Sequence, residues 1–347
     1  RSSVRIRSSS SSSSIMLSAF LLMLCFGWSF FLNGCGGTLP KTDDRLQVVC
    51  TIFPEYDWAR QLTQGVDNVD LTLLVKNGTD LHSYQPSVRD IAMIARADVF
   101  CYVGGVSDTW VNDVLDTTEN RTAQLVSMAE AADADEEVLA EGMQAEHEHE
   151  HEHEHEHHDD ENDSHEEPPE LDEHVWLSLR RAALACTAMK EALCKADPAH
   201  EDIYNQNCTD YLQKLQELDS DFTEMTSQAA RDTIVVADRF PFRYLAEDYG
   251  LTYYAAFPGC SAETEASFET IVFLSEKVES LHLPCVLVTE GSNSSLAKTI
   301  LENAGSDGKI LTLQSLQAVS QKEIDAGVTY LSKMQENYDV LKQALNS

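Results

Sequence analysis

"LQVVCTIFPEYDWARQLTQGVDNVDLTLLV" (46–75) places a helical pattern between two short apolar runs, "LQVVCTI" (46–52) and "VDLTLLV" (69–75). Runs of this length, rich in valine and leucine and bounded by turn residues, read as strands, and a helix between two strands makes them parallel. The punctuation continues with "DVFCYVG" (98–104) and "AQLVSMA" (123–129), and "PSVRDIAMIARA" supplies a helix with Pro86 at its start. The first half of the chain is therefore expected to hold a mainly parallel sheet.

A second alternation follows. "TIVVA" (233–237), "TYYAAF" (252–257), "CVLVTE" (285–290) and "KILTLQ" (309–314) read as strands between helical stretches. Between the two sets, "VWLSLRRAALACTAMKEAL" and a longer helical run ending in "SQAAR" are split at Asp197 and Pro198. The fold class expected is α/β: two βα lobes with mainly parallel sheets, joined by a long connecting helix. Boundaries fall at 46–197 for the first lobe, including a disordered His/Glu-rich loop at 130–173, 198–231 for the connecting helix, and 232–347 for the second lobe. Ligands of open α/β sheets sit beyond the carboxyl ends of strands, which directs attention to the cleft between the lobes.

The charge balance narrows the partners. Among 347 residues, 59 are acidic and 24 basic, for a formal net charge of -35. Such a field repels phosphate backbones and attracts cations, so nucleic acid is excluded as a partner. Upstream, "IMLSAFLLMLCFGWSFFLNGC" is an apolar stretch preceded by Arg5 and Arg7, which reads as an export signal over 1–35. Its end, "LNGC", resembles a bacterial lipobox, which implies lipid attachment at Cys35 and a tether over 36–45. Seven further cysteines remain, an odd number, without a CxxC pair. Most read as small buried hydrophobes.

Few residues past strand ends can bind a cation. His82 lies in "KNGTDLHSYQPS" after the second strand, and His174 in "LDEHVWLSL". His200 and His282 sit on helical stretches and require no function, and His165 lies beside the low-complexity tract. Acidic candidates are Asp238 after "TIVVA", Glu290 closing "CVLVTE" and Glu55 in "TIFPEYDW". Imidazole with carboxylate is a donor set for zinc, or for manganese as carboxylates accumulate. The acids have structural readings too: Asp238 as a cap for a helix near Phe240, Glu290 as a partner of Arg239, Glu55 as a cap of "YDWARQL".

"AEHEHEHEHEHEHHDD" (145–160) brings His147, His149, His151, His153, His155, His157 and His158 into one alternating tract. Its HExxH match is an accident of two-letter repetition, since no apolar face exists to dock a helix. Weak, multi-site cation capture beside the cleft is the role expected of it.

"TIFPEYDWARQL", "LLVKNGTDLHSYQPSVRDIAMIARADVFCYVGG", "DEHVWLSL" and "FRYLAEDYGLTYYAAFPGCSAETEAS" resemble the cluster A-I substrate-binding lipoproteins, which deliver zinc or manganese to bacterial ABC importers. The resemblance covers most of the chain after the tether. It implies metal ligands at His82 and His174, a His-rich acidic loop between them, and only small lobe movements on loading. A third ligand, histidine or glutamate in that family, aligns with Arg239, whose guanidinium offers no lone pair. Either Asp238 substitutes, or Arg239 holds a carboxylate while Glu290 or Glu55 supplies the remaining oxygen.

The reading that follows is a monomeric extracytoplasmic protein, lipid-anchored to the cell membrane. It takes Zn2+, with Mn2+ as alternative, through His82, His174, Asp238 and Glu290, and delivers it to an importer's permease and ATPase without catalysis. A surface metal-buffering or adhesion lipoprotein is the other alternative.

Overall fold

The computed structural model describes residues 45–347 apart from 77–78, 80, 119–121, 144–170 and 262–264. Cys35, the export signal, most of the tether, His165 and the His/Glu tract lie outside the described residues. Strands β1 (Leu46–Cys50), β2 (Val69–Leu73), β3 (Val99–Tyr102) and β4 (Gln124–Ser127) form a parallel sheet in the order β2-β1-β3-β4. Strands β5 (Thr233–Phe240), β6 (Thr252–Pro258), β7 (Cys285–Thr289) and β8 (Lys309–Leu313) form a second parallel sheet in the equivalent order β6-β5-β7-β8. The sequence thus builds the same βα arrangement twice, as its two alternations predict.

Helices α1 (Phe53–Leu62), α2 (Val88–Ile94), α3 (Thr109–Thr117) and α4 (Met128–Ala131) serve the first sheet. Helix α2 starts two residues after Pro86, because Ser87 caps it: the Ser87 hydroxyl accepts from the Asp90 N–H while the Asp90 carboxylate accepts from the Ser87 N–H at 2.9 Å. Helix α5 (Leu179–Ala196) and helix α6 (Glu201–Ser227) are divided by a 3-10 turn at Pro198–His200. The 27 residues of α6 span about 40 Å at the helical rise. Its buried positions Tyr204, Cys208, Tyr211, Leu215, Leu218, Phe222 and Met225 recur every four and three residues, which keeps one apolar stripe against α5 and α1.

The second sheet carries α7 (Arg243–Asp248), α8 (Phe268–Ser280), α9 (Ser295–Asn303), α10 (Gln321–Asp325) and α11 (Tyr330–Asn346). Helix α11 returns to pack on α6, β8 and α1. Its first residue joins the lobes: the Tyr330 N–H donates to buried Asp57 at 2.7 Å, and its hydroxyl donates to the Trp176 carbonyl at 2.6 Å. The Trp176 indole N–H in turn donates to the Ser315 carbonyl at 2.8 Å. One hydrophobic cluster runs through β1, α6, β5 and α11 without a break between the lobes. No described helix is long and apolar enough to cross a membrane.

Within 130–173, the described residues on both sides of the tract are held by hydrogen bonds. Arg181 donates to the carbonyls of Ala132 and Asp133, Arg243 to that of Glu136, and Glu136 forms an antiparallel bridge with Leu171. Those contacts pin 132–136 and 171 at the foot of the insert, before the tract begins.

Candidate metal centre

The C-terminal ends of the first sheet's strands hold the ionisable groups. Glu55 follows β1 and is fully buried, its carboxylate accepting from the Thr51 N–H at 2.7 Å and the Ile52 N–H at 3.3 Å. Asp108 follows β3, accepting from the Val103 N–H at 2.5 Å and the Gly104 N–H at 3.3 Å. Burial, then the charge of Asp108, pushes the Glu55 carboxyl up to about 8. Burial, then the charge of Glu173, pushes Asp108 up to about 7. Acids lead from the interior towards the cleft.

His82 and His174 close that path. His82 sits in a 3-10 turn, Leu81–Ser83, anchored by fully buried Leu81. His174 precedes the turn Val175–Leu177, whose three apolar side chains are all buried and fix the imidazole beside Trp176. The two imidazole rings lie 5.6 Å apart, centre to centre.

Each ring is oriented through its Nδ1. His174 Nδ1 lies 2.9 Å from Asp172 Oδ1, so Nδ1 carries the proton and Nε2 keeps its lone pair. That Nε2 is buried and has no hydrogen-bond partner among the described residues. His82 Nδ1 lies 2.7 Å from Ser107 Oγ, and the Ser107 hydroxyl donates onward to Glu173 Oε1. Since that hydroxyl already gives its proton to Glu173, it accepts from His82, which places the His82 proton on Nδ1 as well. A neutral imidazole held this way by a carboxylate or hydroxyl presents its other nitrogen as a metal donor.

Electrostatics follow the same pattern. Burial pushes His174 down, but the hydrogen bond and charge of Asp172, aided by Glu173, outweigh it and hold the imidazole above its usual value. Burial raises Glu173 despite the compensating charge of His174 and two hydrogen bonds from Ser107. The carboxylates beside His174 thus favour positive charge at that ring.

His82, Glu173, His174 and Cys260 each offer one donor atom, all within 4.8 Å of one another. Asp238 and Glu290 are not in that group. The Asp238 carboxylate accepts from the Thr289 hydroxyl at 2.7 Å and the Thr289 N–H at 3.3 Å. It lies where the β5/β6 register shifts and where β5 meets β7 only through Val236 and Leu287, so it ties strands where the ladder lapses. Glu290 is likewise bound to the Ser315 N–H and hydroxyl, both at 2.7 Å, joining the ends of β7 and β8. Of the other histidines, His200 binds Asp197 at 2.7 Å, and His282 occupies a left-handed turn position after α8.

Sequence reasoning passed over Glu173 and Cys260. Glu173 stood beside a chosen histidine, and Cys260 lies two residues past β6. The strand-end criterion applied to histidines and acids would have found Cys260 had it also been applied to thiols.

Two parallel sheets joined by a long helix, with two imidazoles, an acid and a thiol brought within 4.8 Å of one another, define a two-lobed α/β protein with a candidate metal centre. Residues 48–344 match the family described as "ZnuA: Zinc-uptake complex component A periplasmic", and the chain belongs to that family. It is 32% identical over 327 residues to the "Zinc-binding lipoprotein AdcA" of Streptococcus pneumoniae strain R6, covering 94% of this chain and 60% of the relative's length. It is 30% identical over 331 residues to the "High-affinity zinc uptake system protein ZnuA" of Bacillus subtilis strain 168, covering 94% of this chain and 96% of the relative. Among solved structures, the Zn(II)-bound ZnuA-like domain of Streptococcus pneumoniae AdcA superposes with a TM-score of 0.66 at 28% identity, over 87% of this chain and 100% of that one.

Proposed function

We propose that this chain captures a divalent metal ion, zinc in preference, at His82 and His174 and delivers it to the permease and ATPase of an ABC importer. It acts outside the cytoplasm, anchored through Cys35, and as a binding protein rather than a catalyst. The observation that carries this reading is the pair of converging imidazoles, each with Nδ1 held by a partner, and the buried Nε2 of His174 left without one. The formal net charge of -35 supplies the field that draws a cation in. The zinc named in relatives' descriptions supports the choice of ion.

The test is calorimetric titration of zinc into the full chain and into His82→Ala and His174→Ala. One tight equivalent per chain is expected, and its loss in either variant. Tight binding unchanged in both would overturn the assignment.

A further inference from the structure

Cys260 reaches the histidines from the other lobe. It lies in the loop after β6, half-buried, and its Sγ belongs to the donor set spanning no more than 4.8 Å. The loop's approach is fixed by its neighbour. A Cβ on Gly259 would stand 2.7 Å from His174 Cε1 and 2.9 Å from Nδ1, so only glycine lets this backbone lie against the ring.

The nearby acids hold hydrogen bonds of their own. Glu173 accepts from the Ser107 N–H and from its hydroxyl, one with each oxygen, on the Nδ1 side of His82. Asp238 and Glu290 hold strand ends together. His174, whose buried Nε2 has no hydrogen-bond partner among the described residues, thus has an imidazole from its own lobe and a thiol from the opposite one within 4.8 Å.

We propose that Cys260 is the third protein ligand, bound through sulfur, so that the captured ion sits in a two-histidine, one-thiolate site. This rests on metal capture at His82 and His174. On coordination the Sγ–H bond breaks, the proton passes to bulk buffer, and the sulfur pair goes to the ion; no electron is transferred. In tetrahedral zinc with such ligands the donor atoms are roughly 3.3–3.6 Å apart. A contraction of at most about 1.2–1.5 Å takes the observed group, no more than 4.8 Å across, to that geometry. Sulfur with imidazole suits zinc and disfavours manganese, which takes oxygen ligands. The site thereby gains the discrimination that two histidines alone would not provide.

Cobalt(II) is the probe, used with the full chain under reducing conditions. The wild type is expected to show one tight equivalent with an intense sulfur-to-cobalt charge-transfer band in the near ultraviolet. The His/Glu tract can add only nitrogen and oxygen ligation, which gives no such band. Cys260→Ser should lose the band and bind zinc at least about 10–100-fold more weakly, with a smaller change for manganese. Zinc should also protect Cys260 from iodoacetamide, mapped by peptide, in the wild type but not in His82→Ala. A histidine-dependent tight site without the band, or full zinc affinity in Cys260→Ser, overturns the thiolate ligand and leaves the histidine site standing. Tight binding that survives His82→Ala removes both.

Discussion

At the scale of single residues, the imidazoles depend on the groups behind them. Ser107 passes a hydrogen bond from His82 to Glu173, and a ring released from that hold can rotate or change tautomer. Ser107→Ala is expected to weaken zinc binding by about 10–100-fold while the stoichiometry stays unchanged, read by competition with a chromogenic chelator. Glu55 gives a separate, pH-dependent effect. Its folded carboxyl titrates near about 8, against about 4.3 for an unfolded glutamate, so between those values the folded state holds a proton that the unfolded chain has shed. Stability from this group is complete below the unfolded value and is lost as pH rises through the folded one. Glu55→Gln should remove up to about 1.4 kcal/mol per pH unit from the slope of unfolding free energy between about pH 5 and about pH 8, measured by urea denaturation without metal. An identical slope in the variant would show that Glu55 ionises normally.

At the scale of elements, parallel strands leave backbone N–H groups at their carboxyl ends, and acids collect there to accept them. Glu55 after β1 and Asp108 after β3 do so directly. Asp238 at the end of β5 and Glu290 after β7 link neighbouring strand ends. Asp238→Ala is expected to destabilise the protein by about 1–3 kcal/mol, because it leaves the Thr289 donors unmet, while the tight zinc equivalent persists. Loss of the equivalent in a folded variant would instead make Asp238 a ligand. These staples also explain what was legible in the sequence. Strand and helix alternation gave both lobes, because hydrophobic periodicity reports local structure, and His82 and His174 stood out as histidines in strand-end loops. Position alone could not separate an acid that binds a cation from one that binds the backbone. Nor could it reveal Cys260, whose relation to His174 depends on Gly259 and the packing of two lobes 86 residues apart in the chain.

At the scale of the whole molecule, the continuous core through α6 and the seam at Tyr330 and Trp176 make the two lobes one body, into which the His/Glu tract is spliced between two fixed points. The tract is therefore expected to be dispensable for the tight site. Deleting residues 145–158 should leave one high-affinity zinc equivalent and reduce only the number of weak ones, counted by calorimetry. A deletion variant without the tight equivalent would move the main site into the tract.

The five residues 172–176 perform two tasks at once. Asp172, Glu173 and His174 serve the proposed metal site, and Trp176, two positions on, bolts the lobes together through Ser315 and Tyr330. A substitution that retuned metal choice within this segment would disturb the joint, and one that loosened the joint would disturb that site.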